Sequence, residues 1–320
     1  MGTRDKVLFD LKRGIIPGLT GKNGILTVGA NGKLATLNSG DVYYADSVNG
    51  SDTGNLGKSW DDAFATITKA VSCMGAGDTC LIKGSFTEAV TLAYAGMSII
   101  GADNGPYGAR WTGAADAKCV SITAANCYIA NIRFQPPAYS AGIPCAIYLA
   151  GGTYCTIERC RFQGKTGSWY AIYTNGDCDN TVIQDNEFVY MNTSTYGTAI
   201  KSSGAADITG MRILRNRFNS NLNHIVAPMK SSSIIGNELP GGGLAANGSY
   251  SATLTVLGID VHGAASGYNV ITQNHLGSLY HQACYYAGTG DEWNGNYVKD
   301  RTHTTQVDAT TGISILAPAA

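Results

Sequence analysis

Charge is scarce in this chain. Only 14% of its 320 residues are Asp, Glu, Lys or Arg, and they leave a net charge of −1. That excludes the clustered basic surface with which a nucleic-acid-binding protein meets phosphates. Long apolar runs are missing too: no stretch approaches the roughly 20 residues that a membrane-spanning helix needs. The opening Met1-Gly2-Thr3-Arg4-Asp5-Lys6-Val7-Leu8-Phe9-Asp10 lacks the uninterrupted apolar stretch of a secretion signal. The nine cysteines are odd in number and none is spaced CxxC, while the histidines do not stand at ligand spacing with them. No metal and no cofactor is therefore expected, and no nucleic-acid or membrane partner.

What is present is a repeat. An apolar residue, an Asn-like residue and a large apolar residue recur seven times at one spacing: Ile129/Ile132/Phe134, Ile157/Cys160/Phe162, Ile183/Asn186/Phe188 and Ile213/Asn216/Phe218 come first. Ile234/Asn237/Leu239, Ile271/Asn274/Leu276 and, degraded, Trp293/Asn296/Val298 follow. A second column runs about ten residues ahead of it, through Val120, Ile147, Ile172, Ile200, Ile225, Ile259 and Cys284. Self-similarity at a period of roughly 20–50 residues marks a stacked array. Each unit reads as two or three short strands with tight corners. Strand side chains alternate faces, so Ile and Phe on either side of a corner can enter one narrow core. The implied architecture is all-β, a single-stranded parallel β-helix. Asn suits its corner because it tolerates the left-handed backbone conformation, and stacked Asn186, Asn216, Asn237, Asn274 and Asn296 can bond to one another along the axis. With 41 glycines and recurring Gly-Asn-Asp corners, a helical bundle is a poor rival. The cysteines fit as small apolar fillers with reduced thiols; Cys127 and Cys155 are a pair that neighbouring coils could align.

An open coil end exposes strand edges and needs a cap. Residues 41–84 supply one: a strand at Val42-Tyr43-Tyr44-Ala45, then a helix over about 60–72 whose apolar face is Trp60, Phe64, Ile67 and Val71, started by Ser59. The β-helix proper is expected over 85–300. Residues 1–40 form an arm with apolar patches too small to fold alone, Val7, Leu8, Phe9 and Leu11, then Ile15, Ile16 and Leu19, then Ile25, Leu26 and Val28. Such an arm gains stability on another surface, which makes these residues the candidate anchor. Residues 301–320 are a tail, with Gly312-Ile313-Ser314-Ile315-Leu316 as a closing strand.

The run Val42-Tyr43-Tyr44-Ala45-Asp46-Ser47, with Gly50-Ser51-Asp52, Lys58-Ser59-Trp60, Phe64-Ala65-Thr66-Ile67, Ala70-Val71 and Gly77-Asp78-Thr79, resembles the opening of right-handed parallel β-helix proteins of the pectin-lyase-like superfamily. The resemblance spans roughly 41–300. It implies a right-handed coil, in a superfamily of polysaccharide lyases, glycoside hydrolases, adhesins and phage tailspikes. More narrowly, the chain is similar to virion-associated β-helix proteins of tailed bacteriophages.

Catalysis by a β-helix glycosidase needs acidic groups converging from adjacent coils. The candidates are Asp177 and Asp179 beside Asp185 and Glu187, Asp260 with His262, and Asp291 with Glu292. No complete motif accompanies them: Asn180-Thr181 lacks a following Asp, Val261-His262-Gly263 stands where Gly-His-Gly belongs to polygalacturonases, and the calcium-binding Asp set of pectate lyases is missing. Glu158, Arg159, Arg161, Arg215 and Arg217 alternate with core positions and are expected outside, in cross-coil charge pairs. Tyrosine is plentiful at 18 residues, and Tyr148, Tyr154, Tyr170, Tyr173, Tyr190, Tyr196, Tyr280, Tyr285 and Tyr286 flank the columns. Outward tyrosines suit sugar stacking or a subunit interface. The expectation from sequence is a non-enzymatic, homotrimeric structural protein of a phage virion, a head decoration protein gripping the major capsid protein through its arm. The alternatives are a tail fibre or tailspike acting on host surface glycans, and a carbohydrate-active lyase or hydrolase.

Overall fold

The computed structural model describes residues 26–28, 34–36 and 40–298, except 103–107, 115–116, 137–141, 165–167, 192–196, 205–207, 240–256, 262–265, 278–281 and 286–289. Val7 through Ile25 of the expected anchor lie outside these residues, as does the tail from 301. Leu26 and Val28 fall in the strand Leu26–Val28, which pairs antiparallel with Leu34–Thr36 in a sheet of its own.

The rest winds into a right-handed parallel β-helix built of three sheets of ten, nine and eight strands. The chain visits the three in turn, so every sheet neighbour is one coil away. The register stacks like on like. In the first sheet Ile99, Ile129, Ile157, Ile183, Ile213, Ile234, Ile271 and Trp293 are successive partners. In the second, Trp111, Phe134, Phe162, Phe188 and Phe218 are aligned, and their rings stack with centroids 5.6, 5.2, 4.8 and 4.8 Å apart. In the third, Val90, Val120, Ile147, Ile172, Ile200, Ile225 and Ile259 share a column. All three columns converge on one core. A parallel register forces this, since one inward position per strand repeats at the strand spacing of about 4.8 Å.

The corners divide their labour differently from the sequence expectation. Between the first and second sheets the left-handed residue is the one before the Asn column: Arg159, Asp185, Arg215, Gly236, Gln273 and Gly295 all have positive φ. The column asparagines themselves are buried. Each takes the main-chain N–H of the rung above on its Oδ1: Asn186 from Cys160, Asn216 from Asn186, Asn237 from Asn216, Asn274 from Asn237 and Asn296 from Asn274, at 2.8–3.0 Å. Their role is therefore to satisfy turned-in backbone groups that no strand can reach, not to relieve corner strain. A shorter ladder of the same kind runs from Met211 through Ser232 and Asn269 to Asp291 at another corner.

The capping helix spans Ile67–Cys73, shorter than expected. Trp60 and Phe64 precede it. Phe64 pairs with Ala45 as a bridge, exchanging backbone bonds with Tyr44 and Asp46. The helix starts at Thr66, whose side chain accepts from Lys69 N–H. Asp52 accepts from the Ala65 and Thr66 N–H groups, and Glu88 from those of Ile67 and Thr68, so two carboxylates from distant loops tie down the first turn. No described helix is long and apolar enough to cross a membrane.

Candidate functional site

The carboxylates singled out in the sequence do not converge. Asp177 is exposed at the corner that follows the strand Tyr170–Asn175. Asp179, in the same corner, accepts the Thr209 N–H at 2.7 Å and ties two coils together. Asp185 stands at the next corner, its two carboxylate oxygens accepting from Nε and Nη2 of Arg215, each at 2.8 Å. Glu187 lies on the outer face of the second sheet, 3.3 Å from Arg161. Asp291 belongs to a corner ladder. Asp260 is on the third sheet, and His262 lies outside the described residues. Most of these groups are thus engaged in cross-coil pairs, as is the outward chain of Tyr128, Glu158, Arg159 and Gln184 on the first sheet.

The outer face of the third sheet is different in kind. The residue after each core Ile or Val of this sheet points outward, and the register aligns Ser121, Tyr148, Tyr173, Lys201, Val226 and Asp260 across six successive strands. Tyr148 and Tyr173 stack nearly parallel, centroids 5.9 Å apart at 11°. Tyr170 leans on Tyr173 at 5.1 Å, and Trp169 meets Tyr170 edge-on at 5.8 Å. Lys118 Nζ sits 3.5 Å above the Tyr148 ring, and Asn175 Nδ2 donates to the Tyr148 hydroxyl at 2.8 Å. The result is a rigid aromatic strip with its polar edge already oriented. Such faces match the apolar sides of sugar rings while leaving hydroxyls to bond at the rim.

Lys201 continues this strip. Burial disfavours its charged form and lowers its pKa, partly opposed by the negative charge of Asp260 two strands further on. Asp260 is 4% exposed although it belongs to the outward row. A half-buried amine with a depressed pKa, next to a stacking platform and within the field of an acid two strands away, is suited to proton transfer. Burial likewise raises the pKa of Tyr173, with the charges of Tyr148 and Cys145 adding to it.

Sequence reasoning named Tyr148, Tyr170, Tyr173 and Asp260 but missed Lys201, Lys118, Trp169 and Asn175. The signal was available: Ala146-Ile147-Tyr148, Ala171-Ile172-Tyr173 and Ala199-Ile200-Lys201 place a lysine at the tyrosine position of the same repeat. Tyr154 and Tyr190 prove to be exposed corner residues with positive φ. Tyr196, Tyr280 and Tyr286 lie outside the described residues.

No protein-family model and no curated protein matches the chain. Solved structures do. A rhamnogalacturonan lyase is 15% identical, with 88% of this chain and 79% of that one covered at a TM-score of 0.59. The pectate lyase Pel9A is 13% identical over 85% and 73% at a TM-score of 0.51. A pectin methylesterase from Aspergillus niger is 13% identical over 83% and 95% at 0.50. These likenesses establish the fold, and its neighbours are carbohydrate-active enzymes. They overturn the expectation of a chain without enzymatic activity. That expectation rested on missing lyase and hydrolase motifs, and at such identities short motifs need not persist where the coil does. The narrower likeness to virion proteins draws no support from these neighbours. The chain has the right-handed parallel β-helix fold that these enzymes share.

Proposed function

We propose that this protein is a polysaccharide-cleaving enzyme that holds its substrate on the outer face of the third sheet and uses Lys201 as the base. The observation that carries this reading is the continuous row Tyr148, Tyr173, Lys201, Val226 and Asp260, in which the lysine pKa is lowered by burial. Hydrolysis by the usual route takes two carboxyl groups flanking the bond. Among the described residues this row offers one carboxylate and one lysine, which suits elimination better. In that step the neutral Lys201 amine takes the proton from the carbon next to a uronate carboxyl group. The electron pair forms a carbon–carbon double bond, the bond to the leaving sugar oxygen breaks, and water returns a proton to that oxygen. Asp260 tunes the amine and stabilises its protonated form. Tyr148 and Tyr173 hold the sugar faces. Within the virion-associated proteins that the sequence resembles, such an activity fits a tailspike that degrades host surface polysaccharide, not a head decoration protein.

The test is an assay of polygalacturonate, rhamnogalacturonan and bacterial capsular polysaccharides for the unsaturated product. Wild type should release it from at least one acidic polymer. Lys201→Met should lose about 10²–10⁴-fold in kcat, the contribution of a general base, and Tyr173→Ala should chiefly raise KM. Full activity of Lys201→Met, or no product from any polymer in the panel, refutes the reading.

A further inference from the structure

The outward row of the second sheet has two halves that handle charge in opposite ways. Toward the C-terminus it alternates: Arg161 meets Glu187 at 3.3 Å, and Arg217 meets Glu238 at 3.7 Å on the following strands. Toward the N-terminus the alternation fails. Arg110, Arg133 and Arg161 are direct cross-strand partners on three successive strands, Ala109–Thr112, Ile132–Gln135 and Arg161–Gln163. Like charges placed opposite each other in a sheet are destabilising. In a chain with so few charges the run is conspicuous, and the remainder of the same row shows that an acid would fit between them.

The first two arginines are exposed, and their guanidinium groups are steadied by neutral groups. Arg110 donates to Gln135 Oε1, and Arg133 donates to Gln163 Oε1, in each case one coil on. Among the described residues neither has a carboxylate partner. A glutamine acceptor fixes the plane of the fork without neutralising it, so both forks keep their full charge and donors to spare. The spacing is that of the strands, about 4.8 Å. The three arginines also precede, in the same coils, the strands that carry Ser121, Tyr148 and Tyr173 on the third sheet.

We propose that Arg110 and Arg133, with Arg161 behind them, form a second binding site, distinct from the tyrosine–lysine row, for an anionic polysaccharide whose oxyanion groups follow one another along the coil axis. Planar guanidinium forks in series match carboxylate or sulfate groups in series. Only the assignment of this polymer as the substrate rests on the cleavage reading. The anion site itself does not, and it can be measured where cleavage is blocked.

The experiment uses the full chain carrying Lys201→Met, so that binding is read without turnover. Calorimetric titration with polygalacturonate, dextran sulfate and neutral dextran gives Kd for carboxylate, sulfate and uncharged polymers, and duplex DNA is titrated beside these three glycans. Adding Arg110→Gln and Arg133→Gln should weaken polygalacturonate roughly tenfold or more per guanidinium removed and flatten its salt dependence, leaving dextran unchanged. Equal loss for dextran sulfate assigns a general oxyanion site; loss for polygalacturonate alone assigns a carboxylate-selective one. Arg217→Gln, whose partner is Glu238, is the control and should leave all three values unchanged. The proposal is overturned by unchanged polyanion affinity in the double variant, by an equal loss in the Arg217 control, or by duplex DNA binding more tightly than either glycan polyanion. Absence of product from wild type with the arginine effect intact would sink the cleavage reading alone.

Discussion

Asn216→Ala tests whether the inner ladder holds the coils together. Asn216 is 1% exposed, and its side chain makes four bonds. Its Oδ1 accepts from the N–H and the Nδ2 of Asn186, both at 3.0 Å, and its Nδ2 donates to the Ile183 carbonyl at 2.8 Å and to Asn237 Oδ1 at 3.1 Å. Truncation leaves Asn186 Nδ2 its bond to the Ile157 carbonyl, and leaves Asn237 Oδ1 the N–H of residue 216. One group is left without a partner, the Asn186 N–H; the Ile183 carbonyl keeps the ladder bond that its pairing with the strand Arg212–Leu214 supplies. At about 1–3 kcal/mol for a buried orphan, the expected cost is about 1–3 kcal/mol. Asn216→Asp should cost more than Ala, because a carboxylate oxygen would then face the Ile183 carbonyl and Asn237 Oδ1. Asn294→Ala, on the exposed face, is the control and should stay within about 0.5 kcal/mol of wild type. Urea unfolding followed by circular dichroism measures all three at constant m. If Asn216→Ala unfolds with the control, or Asp is tolerated better than Ala, the ladder is ornament and the apolar columns alone specify the stack.

Other consequences are as direct. Phe188, wholly buried between Phe162 and Phe218, should cost about 3–5 kcal/mol as Phe188→Ala, read from the same urea curves. Burial of Asp46 opposes its ionisation, but bonds from the Val48 N–H, Lys83 and Asn49 outweigh it and depress the carboxyl to about 2. Its stabilisation, about 1 kcal/mol after solvent screening, should be complete above an unfolded pKa near 3.8 and vanish as pH falls through about 2. Asp46→Asn should accordingly lose stability relative to wild type at pH 6 and match it at pH 1.5. Of the eight described cysteines only Cys73 is exposed, while burial raises Cys160 to about 12 and Cys178 to about 11. A thiol reagent should therefore modify Cys73 of that set rapidly and the others only on unfolding. Finally, because Asp260 raises the Lys201 pKa and the amine must lose its proton to act as the base, Asp260→Asn should move the ascending, acidic limb of the pH–rate profile to lower pH. A limb that does not move would remove Lys201 from the chemistry.

The coil was legible because each of its columns is a linear pattern: Ile, Asn and Phe at one spacing state the period, and the parallel register then aligns them without further information. The place of the left-handed residue was not legible, because Asn is both a good corner former and a good acceptor, and only the geometry separates the two roles. Arg159, Asp185 and Arg215 hold positive φ at positions where the residue after them does the buried bonding. The helix start was misread for a related reason. Trp60 and Phe64 have helical spacing with Ile67, yet Phe64 spends its backbone bonds on Tyr44 and Asp46, and Asp52 offers the Ala65 and Thr66 N–H groups a better partner than another turn would. The site shows where motif searching fails on such a scaffold. It is made of single residues taken from separate coils, 25, 28 and 59 positions apart in sequence, so Tyr148, Tyr173, Lys201 and Asp260 form no local motif. They become visible when the sequence is folded at its own period and the outward positions are read down the columns instead of along the chain. Read that way, the second sheet yields its arginines and the third its tyrosines and lysine. Chemistry on a solenoid is written across the coils, while the stability that positions it is written in the columns between them.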